Sequence, residues 1–240
     1  MRSPTCKQPA VPRPRGIALA VAALALASGL AAHAGSLAVA PLRLTLTSAA
    51  GIASLTVENK GSEEALVQTE TFAWQQVGSE HRLAPTEDVV AMPPVFRLAP
   101  GGQRQVRVGL TRALTEAHEL TYRLTVTEVP TTVVPGTVAV AVRHSLPVFV
   151  RPATPIAPRL SAKFTAPVAL EIANTGSQHL RIDRWRLRGK DGAIIAENSG
   201  PGYLLAGAKQ SLMVDAVHAG GSARFEADSD NRTLTIAVGE

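Results

Sequence analysis

Cysteine is almost absent from this chain: the only one, Cys6, stands near the start of its 240 residues. No lipobox-like leucine run precedes it, so beyond the N-terminal segment neither a disulfide nor a lipid is expected. Amphipathic helical patterns of any length are missing too, which excludes helical bundles. Catalytic signatures are equally scarce: there is no nucleophile elbow, no phosphate-cradling glycine loop and no His-x-x-x-His ligand pair. Of the six histidines, His33 lies in the N-terminal segment, while His81, His118, His179 and His218 fall on loop-like sequence and read as solvated. His144 and Ser145 are adjacent on a strand and point to opposite faces, so they cannot pair. These absences argue against an enzyme and leave no call for a cofactor or metal.

Acidic residues are missing from the N-terminus, where Arg2, Lys7, Arg13 and Arg15 precede an apolar run over 17–32. That order is a secretory signal pattern. Ala32-His33-Ala34 has small residues at both recognition positions, so 1–34 is expected to be removed before Gly35, leaving 206 residues. The run is short and alanine-rich, so no membrane span is expected in the mature chain. Without those four basic residues, 20 remain against 19 acidic ones, a formal charge of +1. The basic pI is therefore no argument for nucleic acid. Some 206 residues can form two domains of about 100 residues each, enough for two small sandwiches.

What is present is alternation. Val106, Val108 and Leu110 alternate with Gln105, Arg107 and Gly109, and Tyr122, Leu124 and Val126 alternate with Thr121, Arg123 and Thr125. Period two means one buried face and one wet face. These two strands, behind the Pro93-Pro94 lead-in and the Pro100-Gly101-Gly102 turn, are expected to share one wall of a β-sandwich. Leu37 and Val39 share one parity and Leu42, Leu44 and Leu46 the other, with Pro41 at the phase change. This predicts a first strand that kinks and switches sheets. Tyr122 reads either as a tyrosine corner or as an ordinary core aromatic. Over 137–150, Val138, Val140 and Val142 alternate with alanines, and the proline-rich 152–159 then reads as a stiff linker to a second run of short strands, 160–240.

Several motifs resemble the periplasmic pilus (fimbrial) assembly chaperones, over nearly all of the mature chain. Pro93-Pro94-Val95-Phe96-Arg97-Leu98-Ala99-Pro100-Gly101-Gly102 is similar to the family's Pro-Pro-x-x-x-Arg-Leu-x-Pro-Gly segment. Tyr122 to Pro130 resembles its strand ending in Glu-Ile-Pro, and Leu146-Pro147-Val148-Phe149-Val150-Arg151-Pro152 its closing strand and hinge. Asn174-Thr175-Gly176 and Tyr203-Leu204-Leu205 match more loosely. The resemblance implies an all-β chain of two immunoglobulin-like β-sandwich domains in an L-shaped arrangement. The N-terminal domain, with its donor strand, would span 35–151, the hinge 152–159 and the C-terminal sandwich 160–240.

It also implies partners: exported pilus subunits, each a sandwich lacking one strand, and an outer-membrane usher, with neither ATP nor metal required. The chaperone lends the subunit its last first-domain strand, chaperone–pilin pairing being a known case of strand addition. Val138, Val140 and Val142 would be the plugs in the subunit groove. Each fully buried valine contributes about 1.5–3 kcal/mol, so three give several before association costs. Alternating valines would equally suit a strand facing its own core; the place before the hinge, at a sheet edge, favours donation.

The family further anchors the subunit's terminal carboxylate with two basic cleft residues. Arg43 matches the first by its place in the strand, but Pro147 stands where a lysine is expected, leaving Arg143 as the nearest helper and His144 as a weaker one. The brief 131–136 connection matches the short-loop type, and the missing lysine points to a divergent branch such as that serving archaic or spore-coat-U-like pili. Self-association of the free edge is left open. The competing reading is a secreted structural or adhesive protein that polymerises through the same edge.

Overall fold

Alternating apolar and polar residues build strands, and among the described residues every regular element of the computed structural model is a strand. The structure describes residues 37–47, 51–113, 115–130, 141–214, 222–230 and 232–239. The 1–34 leader, the 131–136 connection, Val138 and Val140 lie outside the described residues. In chain order the first sandwich holds β1 (Leu37–Ala40), β2 (Leu44–Thr47), β3 (Ile52–Asn59), β4 (Ala65–Val77), β5 (Glu80–Pro85), β6 (Val89–Met92), β7 (Val95–Leu98), β8 (Gln103–Leu110), β9 (Leu120–Val129) and β10 (Arg143–Arg151). The second holds β11 (Leu160–Ala166), β12 (Ala169–Asn174), β13 (Leu180–Arg188), β14 (Ile194–Leu204), β15 (Lys209–Met213), β16 (Arg224–Ser229) and β17 (Arg232–Gly239).

Two sheets make the first sandwich, one ordered β1-β3-β8-β6 and the other β2-β10-β9-β4-β5, with β7 also paired to β4. Strands β8 and β9, expected to share a wall, therefore stand on opposite walls. Alternation reveals which face of a strand is buried, not which sheet it joins. Val106 and Val108 from one wall belong to the same buried cluster as Tyr122, Leu124 and Val126 from the other. Tyr122 is a core aromatic whose hydroxyl donates to Asp88 Oδ2 at 3.2 Å, a loop side chain and not nearby backbone. Burial and then the Asp88 charge push its phenol well above the ordinary range.

Prolines mark two of the places where the chain crosses between the sheets. Pro41 separates β1, paired to β3, from β2, paired in parallel to β10. Pro93 and Pro94 separate β6, paired to β8, from β7, paired to β4. A proline has no N–H for the sheet being left, so the ladder stops there. The carbonyls remain useful: Thr69 N–H donates to Pro94 O at 2.8 Å and Thr69 Oγ1 to Pro93 O at 3.0 Å.

A buried asparagine locks each sandwich. Asn59 Nδ2 donates to the Glu63 and Leu98 carbonyls at 2.7 and 3.0 Å, while Oδ1 accepts from Gly61 N–H at 2.9 Å. Asn174 Nδ2 donates to the Gln178 and Leu204 carbonyls at 2.7 and 3.2 Å, and its Oδ1 accepts from Gly176 and Arg159 N–H at 3.1 and 3.2 Å. Each amide satisfies backbone groups where a strand ends and the chain turns. Gly176 allows a close approach, since a Cβ there would lie 2.3 Å from Ala157 O. The second sandwich runs β14-β13-β16-β17-β11-β12-β15 around a core that includes Leu170, Ile172, Ile182, Leu187 and Phe225.

Candidate functional site

The sheet β2-β10-β9-β4 has an inner face in the first core and an outer face turned the other way. On β10 the even positions Leu146, Val148 and Val150 enter the first core, and the odd positions Pro147 and Phe149 lie on the outer face. Strand β10 pairs with β9 along its whole length but with β2 only from Val148 onward. Its first half, residues 143–147, therefore has a neighbour on one side only, among the described residues.

The backbone phase of that half is set by one bond: Glu128 N–H donates to Val142 O at 2.9 Å. In an antiparallel ladder hydrogen-bonded and non-hydrogen-bonded pairs alternate, so even residues of β10 turn their N–H and C=O toward β9. Arg143 and Ser145 turn theirs to the open side, and the Pro147 carbonyl turns toward the start of β2. Ser145 O receives a long contact from Arg123 Nη1 at 3.4 Å, and Pro147 has no N–H to leave unpaired. An edge strand with unpaired backbone groups and a buried apolar face is a template for another strand.

Beside this edge the register lines up two arginines. Leu44 is opposite Val148, so Arg43 comes opposite Pro147 from one side; Arg123 is the Cα partner of Pro147 from the other. All three share the outer face, because their neighbours Leu44, Val148 and Tyr122 are all buried in the first core. With about 4.8 Å between strands, the two arginine backbones are about 10 Å apart across Pro147, a gap two guanidinium arms can close on one carboxylate. Arg43 Nη1 lies 3.9 Å from Asp230 Oδ1. Arg123 stacks over the Trp74 ring, its Cζ 3.8 Å from the ring centroid. Burial lowers the Arg123 pKa from its ordinary value, and no carboxylate is within ion-pair distance of it among the described residues.

Arg143 stands elsewhere. It lies four residues, about 13 Å, along β10 from Pro147, and its Nε donates to Thr127 Oγ1 at 3.1 Å. His144 Nε2 contacts Leu37 O at 2.9 Å. Of the three valines expected to plug a subunit groove only Val142 is described; it precedes β10, is partly buried and still bonds β9 through its carbonyl. Arg123 was overlooked because in sequence it reads as a wet position on a core strand. Its pairing with Pro147 becomes visible only once the β9–β10 register is known.

The outer face also carries the joint to the second sandwich. Trp74 and Phe149, on strands of the first, belong to the buried cluster of the second. Phe149 stacks on His179 with centroids 3.6 Å apart and planes 10° from parallel, and Tyr203 meets Trp74 edge-on at 5.6 Å. His179, expected on a solvated loop, does lie outside the strands but is partly buried. Its N–H and Nδ1 reach Glu119 Oε2 at 2.8 and 2.6 Å, because a long-range contact that no local pattern encodes covers it. His81, expected on a loop, is on β5, and its Nδ1 accepts from Trp74 Nε1 at 3.1 Å. Burial, then the Arg123 charge, lowers its pKa and favours that neutral form. Gln76 adds two bonds, donating to Gln210 Oε1 at 3.0 Å and accepting from Leu205 N–H at 2.9 Å. No three His, Cys, Asp or Glu side chains come together to hold a metal ion among the described residues.

Two immunoglobulin-like sandwiches, one with a half-open strand edge beside a row of cations, define a strand-lending class of protein. The profile of the pili and flagellar-assembly chaperone family, PapD N-terminal domain, matches residues 36–155, half of the chain. The chain belongs to that family, whose members are chaperones and not enzymes. No curated protein matches it by sequence. Solved structures share the fold. A chain of the CsuC–CsuE chaperone–tip adhesion subunit pre-assembly complex from archaic chaperone-usher Csu pili of Acinetobacter baumannii is 19% identical, with a TM-score of 0.62 over 85% of this chain and 98% of that one. A chain of the Salmonella enterica SafA pilin–SafB chaperone complex is 18% identical, with a TM-score of 0.64 over 85% and 96%. The Pseudomonas aeruginosa CupB2 chaperone is 20% identical, with a TM-score of 0.59 over 84% and 100%.

Proposed function

We propose that this protein is a periplasmic chaperone that captures exported pilus subunits by lending them the open edge of β10, and then passes them to an outer-membrane usher. The observation that carries this reading is the half-paired strand: residues 143–147 bond β9 on one side and offer backbone groups on the other. The leader pattern of 1–34 supports export. The valines at 138, 140 and 142 extend the alternation of the strand toward the subunit groove, where each would be buried.

Arg43 and Arg123 are the cations best placed to hold a subunit's terminal carboxylate, with the family lysine replaced by Pro147 and its charge supplied from the adjacent strand. Two guanidinium groups on one carboxylate give charge-assisted bonds and fix the register of the added strand. Arg143 is left nearer the far end of that strand, as a contact to the subunit's body.

The test is co-expression with exported small β-proteins followed by a pull-down. Val140→Asp is expected to stay soluble and lose the co-purifying subunit; a retained subunit would remove β10 and its extension from the donor role. Arg43→Ala is expected to weaken capture, and unchanged capture would remove the carboxylate anchor.

A further inference from the structure

Arg43 already faces a carboxylate. Asp230 stands at the turn between β16 and β17, across which Ser229 pairs with Arg232. It is the one non-glycine residue with positive φ among the described residues, at 41°, a left-handed conformation that Asp and Asn tolerate better than most. The turn holds the aspartate out, with both its side chain and that of Arg43 about half exposed. Arg181, bonded to Asp183 at 2.8 Å, also lies within the field of Asp230. At 3.9 Å the Arg43–Asp230 pair is longer than a hydrogen bond, so the aspartate compensates the arginine's charge without taking up its donors.

Resting on the reading of Arg43 as a carboxylate anchor, we propose that Asp230 is a resident competitor for Arg43: the incoming carboxylate displaces it, and on release Asp230 takes the arginine back. Asp230 is thus a residue that sets affinity for acidic chain ends. Competition by a resident group lowers apparent affinity by the fraction of molecules in which the cation is engaged. An exposed pair of this kind accounts for about a two- to five-fold effect. That size suits a carrier, which must bind its cargo and also give it up. Because the competitor belongs to the second sandwich and the anchor to the first, the cleft is closed by opposite charges when empty.

The probe is a fluorescein-labelled peptide, Thr-Val-Thr-Val-Thr-Val-Thr, made once with a free C-terminal carboxylate and once as the amide, with binding read by anisotropy. Asp230→Asn and Asp230→Gly both fit a positive φ, so either keeps the turn while removing the charge. The expected result is that both variants bind the acid peptide about two- to five-fold more tightly than the parent protein while binding of the amide is unchanged. Arg43→Ala is expected to erase the preference for acid over amide. If acid binding is unchanged or weaker in both Asp230 variants while Arg43→Ala still erases the preference, the competitor is refuted and the anchor stands. If Arg43→Ala keeps the preference, or no variant prefers the acid, absence of binding included, both the competitor and the anchor fall.

Discussion

Several arginines of the second sandwich hold a carboxylate more closely than Arg43 and Arg123 of the first do. In the second, Arg181 holds Asp183 at 2.8 Å, Arg186 holds Asp228 at 2.5 Å and Arg188 holds Glu226 at 2.9 Å. In the first, Arg43 has only the 3.9 Å contact to Asp230, and Arg123 rests on an indole ring. The difference separates cations that stitch a sheet from cations with no close carboxylate partner among the described residues. Partnered arginines stabilise their own fold modestly; under-partnered ones beside an open strand edge are disposed to bind.

The largest effect concerns what the sandwiches share. Asn174→Ala and Asn59→Ala each leave several buried backbone groups without partners, and each is expected to lower unfolding free energy by about 3 kcal/mol. Urea denaturation measures this, and a loss under 1 kcal/mol would mean the locks are not structural. Next, Arg123→Ala is expected to weaken subunit binding at least ten-fold while changing stability by less than about 1 kcal/mol. Arg186→Ala should do the reverse, losing about 1 kcal/mol of stability and keeping the subunit. Pairing calorimetry with pull-downs on both variants breaks the comparison if the two arginines behave alike.

A smaller effect follows from the register. Lysine at 147 would restore a cation between Arg43 and Arg123 on the outer face, so Pro147→Lys added to Arg123→Ala is expected to recover most of the lost binding. Failure of that rescue would place the second cation elsewhere. The smallest effect is pH-dependent. His81 has a lowered folded pKa, so the unfolded chain binds more protons once pH falls below about 6.5. Its contribution is present at neutral pH and is lost as pH falls from there toward the folded pKa. Solvent screening of this exposed ring keeps the loss small between about pH 7.5 and pH 5. His81→Gln, compared by urea denaturation at both pH values, should flatten the difference.

Much of this was legible in the residues. Pro41 at a parity change announced the switch from β1 to β2, and the alternations of Val106–Val108 and Tyr122–Val126 announced the buried faces. Arg43, expected as an anchor by its place in sequence, lies just before β2 on the outer face. Illegible were the facts set by pairing: that β8 and β9 stand in different sheets, that β5 and β6 form around Pro85, and that Arg123 sits beside Pro147. Period two fixes a face but carries no information on a neighbour. His179 was illegible for the same reason, since its partners Glu119 and Phe149 come from distant strands and loops.

Strand donation requires that residues 143–147 of β10 accept a strand from a bound subunit. Amide hydrogen exchange on the free protein and on its complex with a co-purifying pilus subunit tests it residue by residue. The Arg143 and Ser145 amides, which face the open side, are expected to exchange quickly in the free protein and to slow at least ten-fold in the complex. The amides of His144 and Leu146, already bonded to β9, should slow far less. A complex in which Arg143 and Ser145 still exchange at the free rate would contradict it.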